Sequence, residues 1–177
     1  LGDILPAAAY FRTYCTAVTG YILPRFVFPA NLSADPYIVP VEHWYSPEFL
    51  FSLLILGAMC CLIVRFRRSQ PLVSLGMTAM LISPLTAYAV IPLPDVVQEY
   101  RAYIPGLGVA FIAAWLYQWM ALRLPRFRWL AVAAVAATLM VVSLNRNMVW
   151  ADSISLWEDA VAKAPDKPRA HFNLGQS

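Results

Sequence analysis

The chain has 177 residues, of which 13% are charged and 60% hydrophobic, whereas a soluble domain carries about 25% charged residues. Its charges gather in short clusters between long apolar runs. That pattern excludes a soluble enzyme or a nucleic-acid-binding domain and points to an integral membrane protein. The net charge of +3 carries little by itself, because basic residues are placed by membrane topology.

The chain opens Leu-Gly-Asp-Ile-Leu, without Met and without a signal-type segment. It closes on Asn-Leu-Gly-Gln-Ser, so both ends are expected to be cut from a longer polypeptide. Tyr10 to Pro29 is apolar and aromatic but holds Arg12 and Arg25. It is expected to be the first membrane helix (about 10–29), with one arginine snorkelling to each interface. Ala30 to Pro47 is a polar-aromatic loop whose acids are Asp35 and Glu42. These two acids are expected to keep it soluble. Pro36, Pro40 and Pro47 oppose continuous helix there. Asn31-Leu-Ser33 matches a glycosylation acceptor.

Phe49 to Val64 is free of charge and ends in Arg65, Arg67 and Arg68, giving a second span at about 48–66. The third, about 71–91, contains Pro84. The fourth covers about 106–122 and ends in the basic turn of Arg123, Arg126 and Arg128. The fifth covers about 129–145. Cys15, Cys60 and Cys61 lie in apolar segments with no metal-ligand spacing, and are expected as packing residues. The tryptophans and tyrosines near span ends fit the aromatic belts of membrane interfaces.

Between the third and fourth spans lies Pro92-Leu-Pro-Asp-Val-Val-Gln-Glu-Tyr-Arg-Ala-Tyr-Ile-Pro105, with Asp95, Glu99 and Arg101. This polar turn at the membrane surface is the first place to seek a site. Arg101 is expected to bond within the protein to Asp95 or Glu99, and Tyr103 to pack where the fourth span begins. Six arginines fall in the turns after the second and fourth spans. Two fall on the opposite side, Arg101 and Arg146. The basic turns are therefore expected to be cytoplasmic. The loop 30–47, the central turn and the C-terminal tail are then periplasmic or lumenal.

From Arg146 the composition changes. Trp157, Ala160 and Pro165 fit the spacing of a tetratricopeptide repeat, and the same register places a Leu-Gly pair where Leu174-Gly175 stand. The alternative is a lone amphipathic helix, starting near Asp152 or Ser153 and ended by Pro165. The fold expected is all-α: a polytopic membrane domain of about five spans (1–145), then the start of an extracytoplasmic tetratricopeptide-repeat tail (146–177).

Taken in order, several motifs together resemble one family. They are Leu-Pro-Arg-Phe-Val-Phe-Pro-Ala-Asn-Leu-Ser-Ala-Asp, Glu-Tyr-Arg-Ala-Tyr-Ile-Pro, Asn145-Arg-Asn…Trp150…Ser155-Leu-Trp-Glu-Asp-Ala, and Asn-Leu-Gly. The chain resembles polytopic proteins of the GT-C glycosyltransferase superfamily with a C-terminal tetratricopeptide array, bacterial relatives of the transmembrane and tetratricopeptide-repeat O-mannosyltransferases. The resemblance implies a polyprenyl-phosphate sugar donor and an acidic residue in a first extracytoplasmic loop, which would precede Leu1. This chain alone is then expected to be inactive. Where relatives often carry His or Arg after the Glu of the central turn, this chain has Tyr100, which leaves Glu99-x-Arg101-x-Tyr103.

Arg25, Asp95, Glu99, Arg101 and Tyr103 are the candidates for binding a lipid phosphate or sugar, since a guanidinium takes phosphate bidentately. The alternatives are an interfacial anchor for Arg25 and a helix cap for the central acids. Trp157, Ala160, Leu174 and Gly175 are the candidate partner-binding repeat residues. No nucleophile–base pair, metal site or phosphate-cradling loop stands in the sequence, and no cofactor or nucleic acid is expected. The lipid bilayer and a protein partner are. A second function class stays open: a non-catalytic membrane subunit or scaffold docking into a larger assembly.

Overall fold

The computed structural model describes residues 5–88, 96–98 and 103–177. Among them every regular element is helical. In order these are α1 (Ala7–Ala17), a π-helical turn (Val18–Ile22), α2 (Leu23–Val27), α3 (Pro47–Phe66) and α4 (Pro71–Tyr88). Then come α5 (Tyr103–Arg123), α6 (Arg128–Val149), α7 (Ser153–Lys163) and α8 (Pro168–Gln176). Three helices are long and apolar enough to cross a membrane: Pro47–Phe66, Pro105–Arg123 and Arg128–Val149. They mark an integral membrane protein. Pro71–Ser83 is a shorter apolar helix.

Backbone proximity divides the chain into two units: Leu1–Ala30 with Ile38–Trp115, and Asn31–Tyr37 with Leu116–Ser177. In the first, α3 and α4 form a hairpin. Its turn follows Phe66, and Ser74 Oγ donates to the Ile63 carbonyl at 3.0 Å across it. α5 runs back along α4: Trp115 Nε1 donates to Gln70 Oε1 at 2.6 Å, and Gly76 meets Gly108 further along. A Cβ on Gly76 would stand 2.6 Å from the Gly108 carbonyl, and one on Gly108 would strike the Gly76 carbonyl. Only glycine allows backbones this close, as in small-residue crossings of membrane helices.

The segment expected as the first span behaves differently. Ala7–Val27 is helical throughout, but Pro24 has no N–H for the carbonyl one turn back. The turn before it widens into π geometry. None of its three helical segments is by itself long and apolar enough to cross a membrane.

An antiparallel hairpin with α3 would set Arg12 beside the far end of α3. Instead Phe11 packs on Phe49 (centroids 6.4 Å), and Thr19 Oγ1 donates to Ser52 Oγ at 2.8 Å. Positions advance together on both helices, so the two run in the same general sense. From Phe11 to Thr19 the rise is about 12 Å, and from Phe49 to Ser52 about 4.5 Å, so they cross at an angle. Tyr10, Tyr14 and Val18 form the core of this unit, with Leu56 and Val96 packed against it. Cys15 is buried here, but Cys60 and Cys61, expected as packing residues, lie exposed on α3. A small chain crossing lipid leaves such faces uncovered by protein.

In the second unit α6 carries an exposed apolar surface that includes Trp129, Val135, Leu139 and Met148. The tail hairpin follows. Asp152 caps α7, its Oδ1 accepting from Ser155 N at 2.8 Å, and α7 ends before Pro165 as the helix signals predict. Alanines close the hairpin: Ala160, Ala164 and Ala170 are buried.

Candidate functional site

The most developed polar cluster joins the loop Asn31–Tyr37 to the start of α8. Asn31 turns the chain with a left-handed φ of 54°, a conformation Asn tolerates. Ser33 Oγ then accepts from Asp35 N at 3.3 Å, and the Asp35 side chain turns inward, 3% exposed. There Arg169 Nε donates to Asp35 Oδ2 at 2.7 Å, while Arg169 Nη2 and Lys167 Nζ pair with Oδ1. Lys167 Nζ also donates to the Pro36 carbonyl at 3.0 Å, and Lys163 Nζ to the Leu32 carbonyl at 2.7 Å. Three cations of the tail thus read one short segment through two carbonyls and one carboxylate.

Burial pushes the Asp35 carboxyl up. The hydrogen bonds and charges of Arg169 and Lys167 outweigh it and hold the group below its ordinary value. The expectation that Asp35 merely keeps its loop soluble is corrected: it is a buried ion-pair centre. A carboxylate and its cationic partners so far apart in sequence leave no local pattern to read. Ser33 is buried as well, so the acceptor motif at Asn31 has its hydroxyl engaged in the fold.

A neighbouring network sets the tail's angle on α6. Arg146 Nη1 meets Asp159 Oδ2 at 2.8 Å, and Lys163 Nζ meets Oδ1 at 2.5 Å. Burial raises the Asp159 carboxyl, and the bonds from Lys163 and Arg146 lower it further than burial lifts it. The Arg146 guanidinium also faces Trp150.

In the first unit Arg12 corrects the reading of a snorkelling arginine. It is 5% exposed. Nε donates to the Val41 carbonyl at 3.1 Å and Nη2 to the Glu42 carbonyl at 2.6 Å, and the guanidinium lies over Trp44 at 4.6 Å. Thr13 Oγ1 accepts from Val41 N at 2.8 Å. The planar fork of arginine suits two adjacent carbonyls as lysine would not.

Arg25 folds back on its own helix, Nη1 donating to the Tyr21 carbonyl at 3.0 Å, with the guanidinium 3.2 Å over the Tyr21 ring. Tyr103, expected to pack, starts α5 and is 82% exposed. It is the first residue of the helix, with no preceding helical turn to lie against. Asp95, Glu99 and Arg101 lie outside the described residues. Within the central turn, Val97 is buried and Val96 packs against the Tyr10–Tyr14–Val18 cluster. Trp157 and Ala160 stand on α7, Leu174 and Gly175 on α8.

Chemically, the described residues offer ion pairing and carbonyl recognition. No group of three His, Cys, Asp or Glu that could hold a metal occurs among them. No protein-family model matches the chain, and no curated protein or solved structure matches it.

Proposed function

We propose that the chain is the membrane part, residues 1–145, and first repeat helices, 146–177, of a tetratricopeptide-repeat protein of the GT-C kind, serving transfer from a polyprenyl-phosphate sugar. The ordered motifs of the sequence support it. So does the union of an outer loop with the helical tail, because direct ion pairs require both to be on one aqueous side. Four helices, α3 to α6, separate them in sequence. An odd number of crossings would part them, so α4 is read as crossing together with the three longer helices. Its 18 residues extend about 27 Å, close to the hydrocarbon thickness of about 30 Å. Together with the arginine excess at the two tight turns, this favours cytoplasmic basic turns and an extracytoplasmic tail.

In this reading the tail hairpin offers the repeat surface to a protein partner. The central turn, with Glu99, Arg101 and Tyr103, faces the lipid-linked sugar, and Arg25 remains a candidate for its phosphate. The chain alone transfers no sugar. The test is photo-crosslinking of a polyprenyl-phosphate sugar probe to the purified chain in nanodiscs. Capture is expected, is competed by unlabelled probe, and weakens in Arg101→Ala with little rescue by Arg101→Lys. Capture that is unchanged in Arg101→Ala would remove the ligand role from the central turn.

The scaffold reading is favoured by one observation, the absence of a catalytic or metal-binding group among the described residues. It predicts no specific capture of the probe at all.

A further inference from the structure

The contacts of Ala7–Val27 bear on where that helix lies. At its start, Arg12 and Thr13 bond Val41 and Glu42. At its end, the chain continues through residues 28–46 to the first turn of α3 without any helix. That connection cannot cross hydrocarbon. An irregular backbone facing lipid leaves its N–H and C=O groups unsatisfied, at several kcal/mol each, and Glu42 and His43 are exposed on it. The two ends of the helix are therefore on the same side of the membrane.

The partners along its length agree. They are the first turns of α3 at Phe49 and Ser52, and Val96 of the turn between α4 and α5. All belong to the end of the bundle where α3 begins. A helix of 21 residues measures about 30 Å. With both ends on one side it must run along the surface.

We infer that Ala7–Val27 is an interfacial helix that lies in the headgroup region of one leaflet and does not cross the bilayer. The flanking residues suit a lipid surface. Val27 and Phe28 are 71% and 74% exposed at its end, and Trp44 and Tyr45 are exposed beside its start. Amphipathic aromatics belong at that depth, and a helix lying in the plane buries an apolar edge by roughly 5–10 Å. Arg12, Thr13, Thr19 and Tyr14 face protein, where their polar atoms meet partners. The bilayer then takes only the apolar rim. The inference does not depend on which side is cytoplasmic.

It is tested in the full chain with Cys15→Ala, Cys60→Ala and Cys61→Ala as background, inserted in sealed vesicles. Ala8→Cys and Asn31→Cys, both at exposed positions, are treated with a membrane-impermeant maleimide. The expected result is that both lose reactivity to a second reagent after treatment from the same face. Ala8→Cys blocked only from the opposite face, or from neither, would overturn the inference.

A second measurement guards against a folding defect in Ala8→Cys. A fluorophore on Phe28→Cys should be quenched more by lipids doxyl-labelled near the headgroup than by lipids labelled near the chain end. Stronger quenching by the deep label, or none by lipid, would also overturn it.

Discussion

The two arginines of the first helix and the aspartate after it show how context decides the role of a charge. Arg12 binds carbonyls, Arg25 lies on its own Tyr21, and Asp35 receives cations from the tail. Removing one partner of a buried ion pair costs about 3–5 kcal/mol. We expect Asp35→Asn to lose somewhat less, about 2–3 kcal/mol, because Arg169 keeps water contact. The measurement is thermal unfolding in detergent at neutral pH. The folded Asp35 carboxyl titrates below its ordinary 3.8. Its contribution is therefore fully present above that value and is lost as pH falls through the folded value. The gap between wild type and Asp35→Asn should close in strong acid. A gap that is constant with pH would remove Asp35 as an ionised centre. Arg12→Lys should destabilise nearly as much as Arg12→Ala, because an ammonium cannot hold both carbonyls in one plane. Full recovery of the melting temperature by Arg12→Lys would contradict the fork geometry.

Among the elements, the apolar helices were the most legible. Runs such as Phe49–Val64 and Trp129–Asn145 give α3 and α6, and the basic clusters mark their ends. Asp152 and Pro165 bracket α7 in the same way. The first helix was misleading because apolar composition over about 20 residues does not distinguish a crossing from a helix on the surface. What separates them is the pairing of Arg12 with Val41 and Glu42, and nothing in the local pattern carries it. The Asp35 cluster was hidden for the same reason. The crossing at Gly76 and Gly108 also needs three dimensions, since each glycine alone is ordinary in a membrane helix. Leucine at Gly108 would collide with the Gly76 carbonyl and with Met80, and overpacking costs about 1–3 kcal/mol. We expect Gly108→Leu to abolish the disulfide that Gln70→Cys and Trp115→Cys form on mild oxidation. Unchanged cross-linking would mean that the helices do not depend on this contact.

On the scale of the molecule, the arrangement is a membrane-crossing set of helices with its loops sorted by charge. The tail is bound to the loop before α3 by Lys163, Lys167 and Arg169. These are ion pairs between exposed and buried groups, so high salt should weaken the exposed part and leave the Asp35 centre largely intact. The central claim is that α3 to α6 alternate across the bilayer, with this loop and tail together on the side away from the basic turns. It is tested most directly by impermeant-maleimide labelling of single cysteines at Asn31, Ser69 and Phe172, all exposed, in sealed vesicles of known orientation. Asn31→Cys and Phe172→Cys are expected to react from the outer face and Ser69→Cys only from the inner one. Reaction of Asn31→Cys and Phe172→Cys from opposite faces, or of Asn31→Cys and Ser69→Cys from the same face, would contradict it.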